Sequence, residues 1–245
     1  MTTTLPPTPS NLVHTRVALH RLATYVIAPV RYRATERFGL RATEGGFGTP
    51  EFDGRRIRVR GSELIDEVDG QSRTTPITSL AAAAEFLGTS IDPTTAAEHD
   101  SPPVGDEQAD LGIDEDSSLW LGDWFNTAFS ALHAVRDDAD SVDGSPPQLW
   151  PGHFDPAIEV GDENRRGSYG ASPGDDAIDE PYLYVSLWWP DRLTIDTSDH
   201  SWNAPGFVGS LLRVSDFPAD ADAIDVAVEF WRTGRDRVLG TPVNS

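Results

Sequence analysis

The residues best suited to chemistry lie between Gln148 and Pro190, in QLWPGHFDPAIEVGDENRRGSYGASPGDDAIDEPYLYVSLWWP. As a strand, HFDPAIEV would turn Phe154, Pro156, Ile158 and Val160 to one side and His153, Asp155, Ala157 and Glu159 to the other. One face would then carry an imidazole and two carboxylates, with successive same-face positions ~7 Å apart. Such a row can bind a divalent metal or perform general acid–base work, with His153 and Asp155 as the metal ligands. Pro156 removes an amide donor, so the strand should be an edge or be interrupted there. The plainer alternative is a hydrogen-bonded histidine at a strand start, with the acids on a solvated face.

The connecting loop adds Asp162, Glu163, Asn164, Arg165, Arg166, Tyr169, Asp175 and Asp176, and Gly167, Gly170 and Gly174 allow close backbone approach or positive φ. YLYVSLWW alternates in turn. Leu183, Val185, Leu187 and Trp189 would face a core, and Tyr182, Tyr184, Ser186 and Trp188 would face outward or across a cleft. If the two runs pair as a long-looped hairpin, Tyr184 and Trp188 neighbour His153 and Asp155. Aromatic rings beside acids suit a cationic or sugar-like ligand, although the same rings can equally pack under a helix. The candidate ligand-binding set is therefore His153, Asp155, Glu159, Arg165, Tyr169, Asp175, Tyr184 and Trp188. The stretch has no GK[ST], GxGxxG, HExxH, GxSxG or HxH pattern, so no catalytic residue is assigned. No cofactor is expected beyond a divalent metal in the hydrolytic alternative.

Those groups need a scaffold, and 245 residues with seven Trp, ten Phe and five Tyr can bury one. Residues 1–10 read as a disordered tail, followed by a helix from Asn11 to about Ile27 that stops at Pro29. From Arg37 to Ile77 short runs are separated by Glu44-Gly45-Gly46, Asp53-Gly54, Gly61 and Asp69-Gly70, the punctuation of a β-meander. In RRIRVR, Arg56, Arg58 and Arg60 alternate with Ile57 and Val59. Their guanidinium row is either a surface for an acidic partner or a solvated face matched by the chain's own acidic half. Ser79 should cap a short helix ending at Gly88.

Residues 89–116 are acidic and poor in large apolar side chains, a linker or surface loop between 11–88 and a mixed part, 117–240. Within that part, Leu121, Trp124, Phe125, Ala128, Phe129, Leu132 and Val135 make a helical stripe, as do Ile224, Ala227, Val228, Trp231 and Val238 further on. The fold class expected is α+β, mainly antiparallel sheet packed with about three main helices, with 11–88 and 117–240 forming one globular unit.

Net charge is −21, distributed as +2 over residues 1–88, −9 over 89–116 and −14 over 117–245. That field repels phosphates and anionic lipid, so neither nucleic acid nor membrane is an expected partner. All nineteen basic residues are Arg and Asp outnumbers Glu by 27 to 13, a pattern of high-GC codon usage or of adaptation to salt. There is no cysteine, no apolar run long enough to span a bilayer and no secretory pattern in MTTTLPPTPSN, so a cytoplasmic protein is expected.

LRATEGGFGTPEF (Leu40–Phe52), PITSLAAAAEFLG (Pro76–Gly88), LWPGHFDPAIEV, YGASPGD and EPYLYVSLWW together resemble a family of uncharacterised proteins from high-GC bacteria. The resemblance covers most of the chain outside the acidic segment and tail. It implies one coherent unit and carries no activity. The function expected is non-catalytic binding of a small molecule or protein partner through 148–189. The alternative is a metal-assisted hydrolase using the His/Asp/Glu strand face.

Overall fold

The first helix runs further than its sequence suggests. In the computed structural model, which describes residues 4–93, 101–196 and 198–244, α1 (Leu12–Leu22) passes through a π-helical turn, Ala23–Ile27, into α2 (Ala28–Thr35). The sequence places the stop at Pro29 because proline restricts the residue before it, Ala28; proline also has no N–H for the carbonyl four residues back, that of Tyr25. The Tyr25 carbonyl instead accepts the amide of Asp92 at 3.0 Å. With that acceptor satisfied from outside, the widened turn carries the chain past the proline. The helix ends at Glu36, in the left-handed region with φ 59°.

The chain is α+β, with helices and two antiparallel five-stranded sheets. It divides into two compact units: an N-terminal one, Pro6–Asn126 with Leu149–Asp155, and a C-terminal one, chiefly Thr127–Gln148 with Pro156–Ser245.

In the N-terminal unit β1 (Arg41–Thr43), β2 (Gly46–Gly48), β3 (Arg55–Arg60), β4 (Glu63–Val68) and β5 (Gln71–Pro76) lie in sequence order, the meander expected. Its tight turns fall at Asp53-Gly54 (φ 46° and 72°) and Asp69-Gly70 (φ 50° and 80°), where positive φ is tolerated by Asp and free for Gly. Ile57, Val59 and Leu64 are fully buried. On the opposite face Arg58 pairs with Glu67 at 2.6 Å, and Arg56 lies 3.6 Å from Glu67 and 3.8 Å from Glu51. The acids matching these two arginines come from the adjacent strand and the preceding loop, not from the acidic half of the chain.

Asp66 is fully buried and holds Arg55 at 2.7 Å and Arg73 at 2.5 Å. Those guanidinium groups also donate to the carbonyls of Leu87 and Phe86, at the end of α3 (Leu80–Leu87). The triad therefore satisfies helix-end carbonyls and sets cations at the negative end of the helix dipole. At the other end Ser79 caps α3, accepting from Ala82 N–H. The described part of the acidic segment is irregular and hydrogen-bonded to the helices. Tyr25 donates to the carbonyl of Pro102 (2.6 Å), and the amide of Ala81 donates to that of Glu107 (3.0 Å).

The next helix, α4 (Glu115–Arg136), is capped by Asp114, which accepts from the amide (2.9 Å) and hydroxyl of Ser117. Leu121, Trp124, Phe125, Ala128, Leu132 and Val135 are buried along it, and Phe129 of the same stripe is half-buried.

In the second sheet β6 (Gln148–Trp150), β7 (Asp155–Val160), β8 (Gly167–Ser172), β9 (Tyr182–Leu187) and β10 (Gly209–Arg213) are ordered β10-β9-β8-β7-β6. The expected hairpin of the β7 and β9 segments is interrupted, because the connection between them contributes β8, which pairs with both. From sequence alone GSYGAS falls in the connecting loop of that hairpin. Its glycines allow close packing, and a Cβ at Gly170 would lie 2.4 Å from the Tyr184 hydroxyl oxygen. On the inner face lies α5 (Ala223–Gly240), capped by Asp222. Gly234 sits so close to β9 that a Cβ would come within 2.6 Å of Val185, and the buried indole of Trp231 donates to the Tyr184 carbonyl at 3.1 Å. No helix among the described residues is long and apolar enough to cross a membrane.

Candidate functional site on the outer face of the second sheet

Alternation along β9 buries Leu183, Val185 and Leu187 and leaves Tyr184 and Ser186 half-buried on the other face. The register then aligns Glu159 with Ser168 and Ser168 with Ser186, one polar row across three strands. The neighbouring row is Ala157, Gly170, Tyr184 and Leu211. One end of this face is covered, with Ile178, Tyr182 and Leu211 forming a buried cluster against which Tyr184 and Ala204 pack. Asp175 anchors that cover by accepting the amides of Ala177 (2.7 Å) and Ile178 (2.8 Å) and the hydroxyl of Tyr182. The side chain of Asn203 occupies the edge of β10, exchanging hydrogen bonds with the backbone of Leu211 at 2.8 and 3.1 Å.

The other end is open. Just beyond β9, Trp188 is 39 % exposed and Trp189 45 %. Leaving two indoles in water forgoes about 2 kcal/mol of burial each. Neither is loose. The Trp188 indole N–H donates to Ser168 Oγ at 2.8 Å, and the Arg166 guanidinium lies 5.3 Å from its ring centre. Arg166 is fixed in turn by Asp143 and the Gly161 carbonyl, both at 2.9 Å, and more loosely by Glu159 at 3.4 Å. Arg192 lies over Trp189 at 4.8 Å, and the two indoles meet edge to face at 6.3 Å.

Of the residues singled out from sequence, Glu159, Tyr184 and Trp188 share this outer face. Arg165 is held at its margin by Asp162 (3.7 Å) and the Thr241 carbonyl (3.1 Å). Tyr169 points inward and is 1 % exposed, and burial pushes its hydroxyl pKa well above the usual tyrosine range. Asp175 belongs to the covered end. Tyr184 and Trp188 stand on β9 and just beyond it, with β8 between them and β7, not directly beside the segment of His153 and Asp155 as a hairpin would put them.

His153 and Asp155 belong to the N-terminal unit, Glu159 to the C-terminal one. β7 begins only at Asp155, so His153 lies in the preceding turn and not on the strand face. Phe154 turns the chain there with φ 57°, and its fully buried ring sits 5.1 Å from Phe47, 5.2 Å from Phe125 and 5.3 Å from His20. The turn's carbonyls are taken from the N-terminal unit: Thr24 bonds Pro151 at 2.6 Å, and His20 and Ser101 each bond Gly152 at 3.1 Å. His153 is exposed and Asp155 buried. Among the described residues no group of three or more His, Asp or Glu side chains is placed to hold a metal ion. A surface hollow of about 300 Å³ in the N-terminal unit is lined by Asp66, Val68, Asp69, Gln71 and Arg73. Asp66 and Arg73 there already belong to the ion triad.

The candidate set omits Ser168 and Arg192, and also Arg166, which the sequence places in the same segment; Trp189, expected to face a core, is 45 % exposed. The signal available was the alternation of GSYGAS, which places Ser168 and Gly170 on one face once the segment is taken as a strand. Comparison with family models, with proteins of curated function and with solved structures finds no match to this chain.

Proposed function

We propose that this protein is a non-catalytic binding protein that takes a small molecule or partner on the outer face of its second sheet, around Trp188. The observation that carries the reading is an indole 39 % exposed yet fixed by Ser168 and Arg166, beside a half-buried row of Ser168, Ser186 and Glu159. An aromatic surface with a few ordered polar groups is the usual make-up of a ligand site, and an immobilised one has little side-chain freedom left to lose on binding. The net charge of −21 argues against nucleic acid and anionic membrane as partners. The cysteine-free composition accords with a cytoplasmic location.

The test is Trp188→Leu. It should weaken binding of any ligand found for the intact protein tenfold or more while leaving the melting temperature within about 2 °C, since surface substitutions move stability little. A ligand bound equally well by the variant would show that binding lies elsewhere.

A further inference from the structure

Resting on that reading, we infer that the ligand class is a neutral carbohydrate, stacked on Trp188 and Trp189 and hydrogen-bonded by the Glu159–Ser168–Ser186 row. Charge decides between the classes. An anion would approach against a net charge of −21. Of the two cations beside the rings, Arg166 is already matched by Asp143 at 2.9 Å and Glu159 at 3.4 Å, and Arg192 donates to the Glu163 carbonyl at 2.9 Å. A cationic ligand would compete with guanidinium groups already lying over both rings, Arg166 on Trp188 and Arg192 on Trp189. A neutral ligand meets no charge penalty, and it stacks on the parts of the rings that Arg166 and Arg192 leave uncovered.

The polar groups fit hydroxyls in particular. Ser168 Oγ accepts the Trp188 indole N–H, which leaves its own proton to donate. The Ser186 hydroxyl is half-buried and hydrogen-bonds no other described residue, so it can donate and accept. Glu159 has an acceptor oxygen in hand, its side-chain hydrogen bond among the described residues being the 3.4 Å one from Arg166. Two hydroxyls and a carboxylate spaced across adjacent strands present the alternating donors and acceptors that vicinal diols answer. The two indoles supply apolar surface for the C–H face of a sugar ring. Because the indoles stand edge to face, more than one sugar ring is needed to cover both.

The experiment is titration of the intact protein by NMR and calorimetry. The probes are glucose, mannose, linear gluco- and manno-oligosaccharides of three to six units, tetramethylammonium chloride and citrate. The inference expects saturable shifts of the Trp188 and Trp189 indole signals with the oligosaccharides, at least tenfold tighter than with either monosaccharide. Ser186→Ala should weaken that binding threefold or more, and Trp188→Leu tenfold or more, with unchanged circular dichroism. Shifts at these indoles with tetramethylammonium or citrate but not with sugars would overturn the carbohydrate inference and leave the binding surface standing. Sugar binding unaffected by Trp188→Leu would overturn the surface. If no probe moves these indoles, both fall.

Discussion

Replacing His20 by Phe should flatten the acid sensitivity of this protein by a calculable amount. His20 is 8 % exposed, lies parallel to Phe154 with ring centres 5.3 Å apart and bonds the Gly152 carbonyl at 3.1 Å. Burial lowers its pKa from 6.5 to about 4, helped by the nearby charges of His153 and Arg16 and opposed by hydrogen bonds to the Gly152 and Pro151 carbonyls. Between those two values the unfolded chain binds a proton that the folded one refuses. The stability from His20 is therefore complete above pH 6.5 and is lost as pH falls toward 4. A shift of that size is worth about 3 kcal/mol. Phe keeps the ring stack, cannot titrate and leaves Gly152 with its bond from Ser101 at 3.1 Å. His20→Phe should cost about 1 kcal/mol at pH 7, the net worth of one hydrogen bond. Urea melts at half-unit steps from pH 7 to 4, followed by circular dichroism, give the comparison. The variant should lose about 3 kcal/mol less than the native protein over that range. Equal losses in the two proteins would refute the assignment of a buried, neutral His20.

Three further outcomes follow from the packing and the candidate ligands. Asp66→Asn leaves Arg55 and Arg73 without their shared carboxylate and should cost about 3 kcal/mol in urea unfolding, somewhat less if the exposed Arg73 swings into water. Gly234→Ala pushes a methyl to within 2.6 Å of Val185 and should destabilise the protein by about 1–3 kcal/mol, lowering its thermal midpoint. Adding Mn²⁺ or Zn²⁺ should not raise that midpoint, and His153→Ala should leave the metal response unchanged; a stabilising shift lost in the variant would revive the hydrolytic alternative.

Elements whose signals are local were legible in the sequence. Asp53-Gly54 and Asp69-Gly70 carry their backbone preference in two residues, and the apolar stripes of α4 and α5 repeat over many turns. Where tertiary contacts decide, sequence reasoning went astray. Nothing near Pro29 announces that Asp92, more than sixty residues on, will take the Tyr25 carbonyl and let the helix continue. β8 hides because its glycines, poor strand formers alone, are what let Tyr184 lie across it. His153 looked aligned with Asp155 and Glu159 only while Phe154 was assumed extended; its left-handed turn, fixed by a buried aromatic cluster, ends that alternation. Glu159, Tyr184 and Trp188 share one face, with β8 between the first and the other two, because that placement needs nothing beyond strand periodicity and register.

The most direct measurement is an NMR screen of the intact protein against a chemically mixed library of sugars, amines and carboxylates, with each indole N–H assigned by single Trp→Phe variants. The account predicts that compounds which bind shift Trp188, Trp189 and the amides of Ser168 and Ser186, while the buried Trp124 and Trp231 stay still. Binders that move only residues of the N-terminal unit, such as those lining the hollow at Asp69 and Gln71, would contradict it.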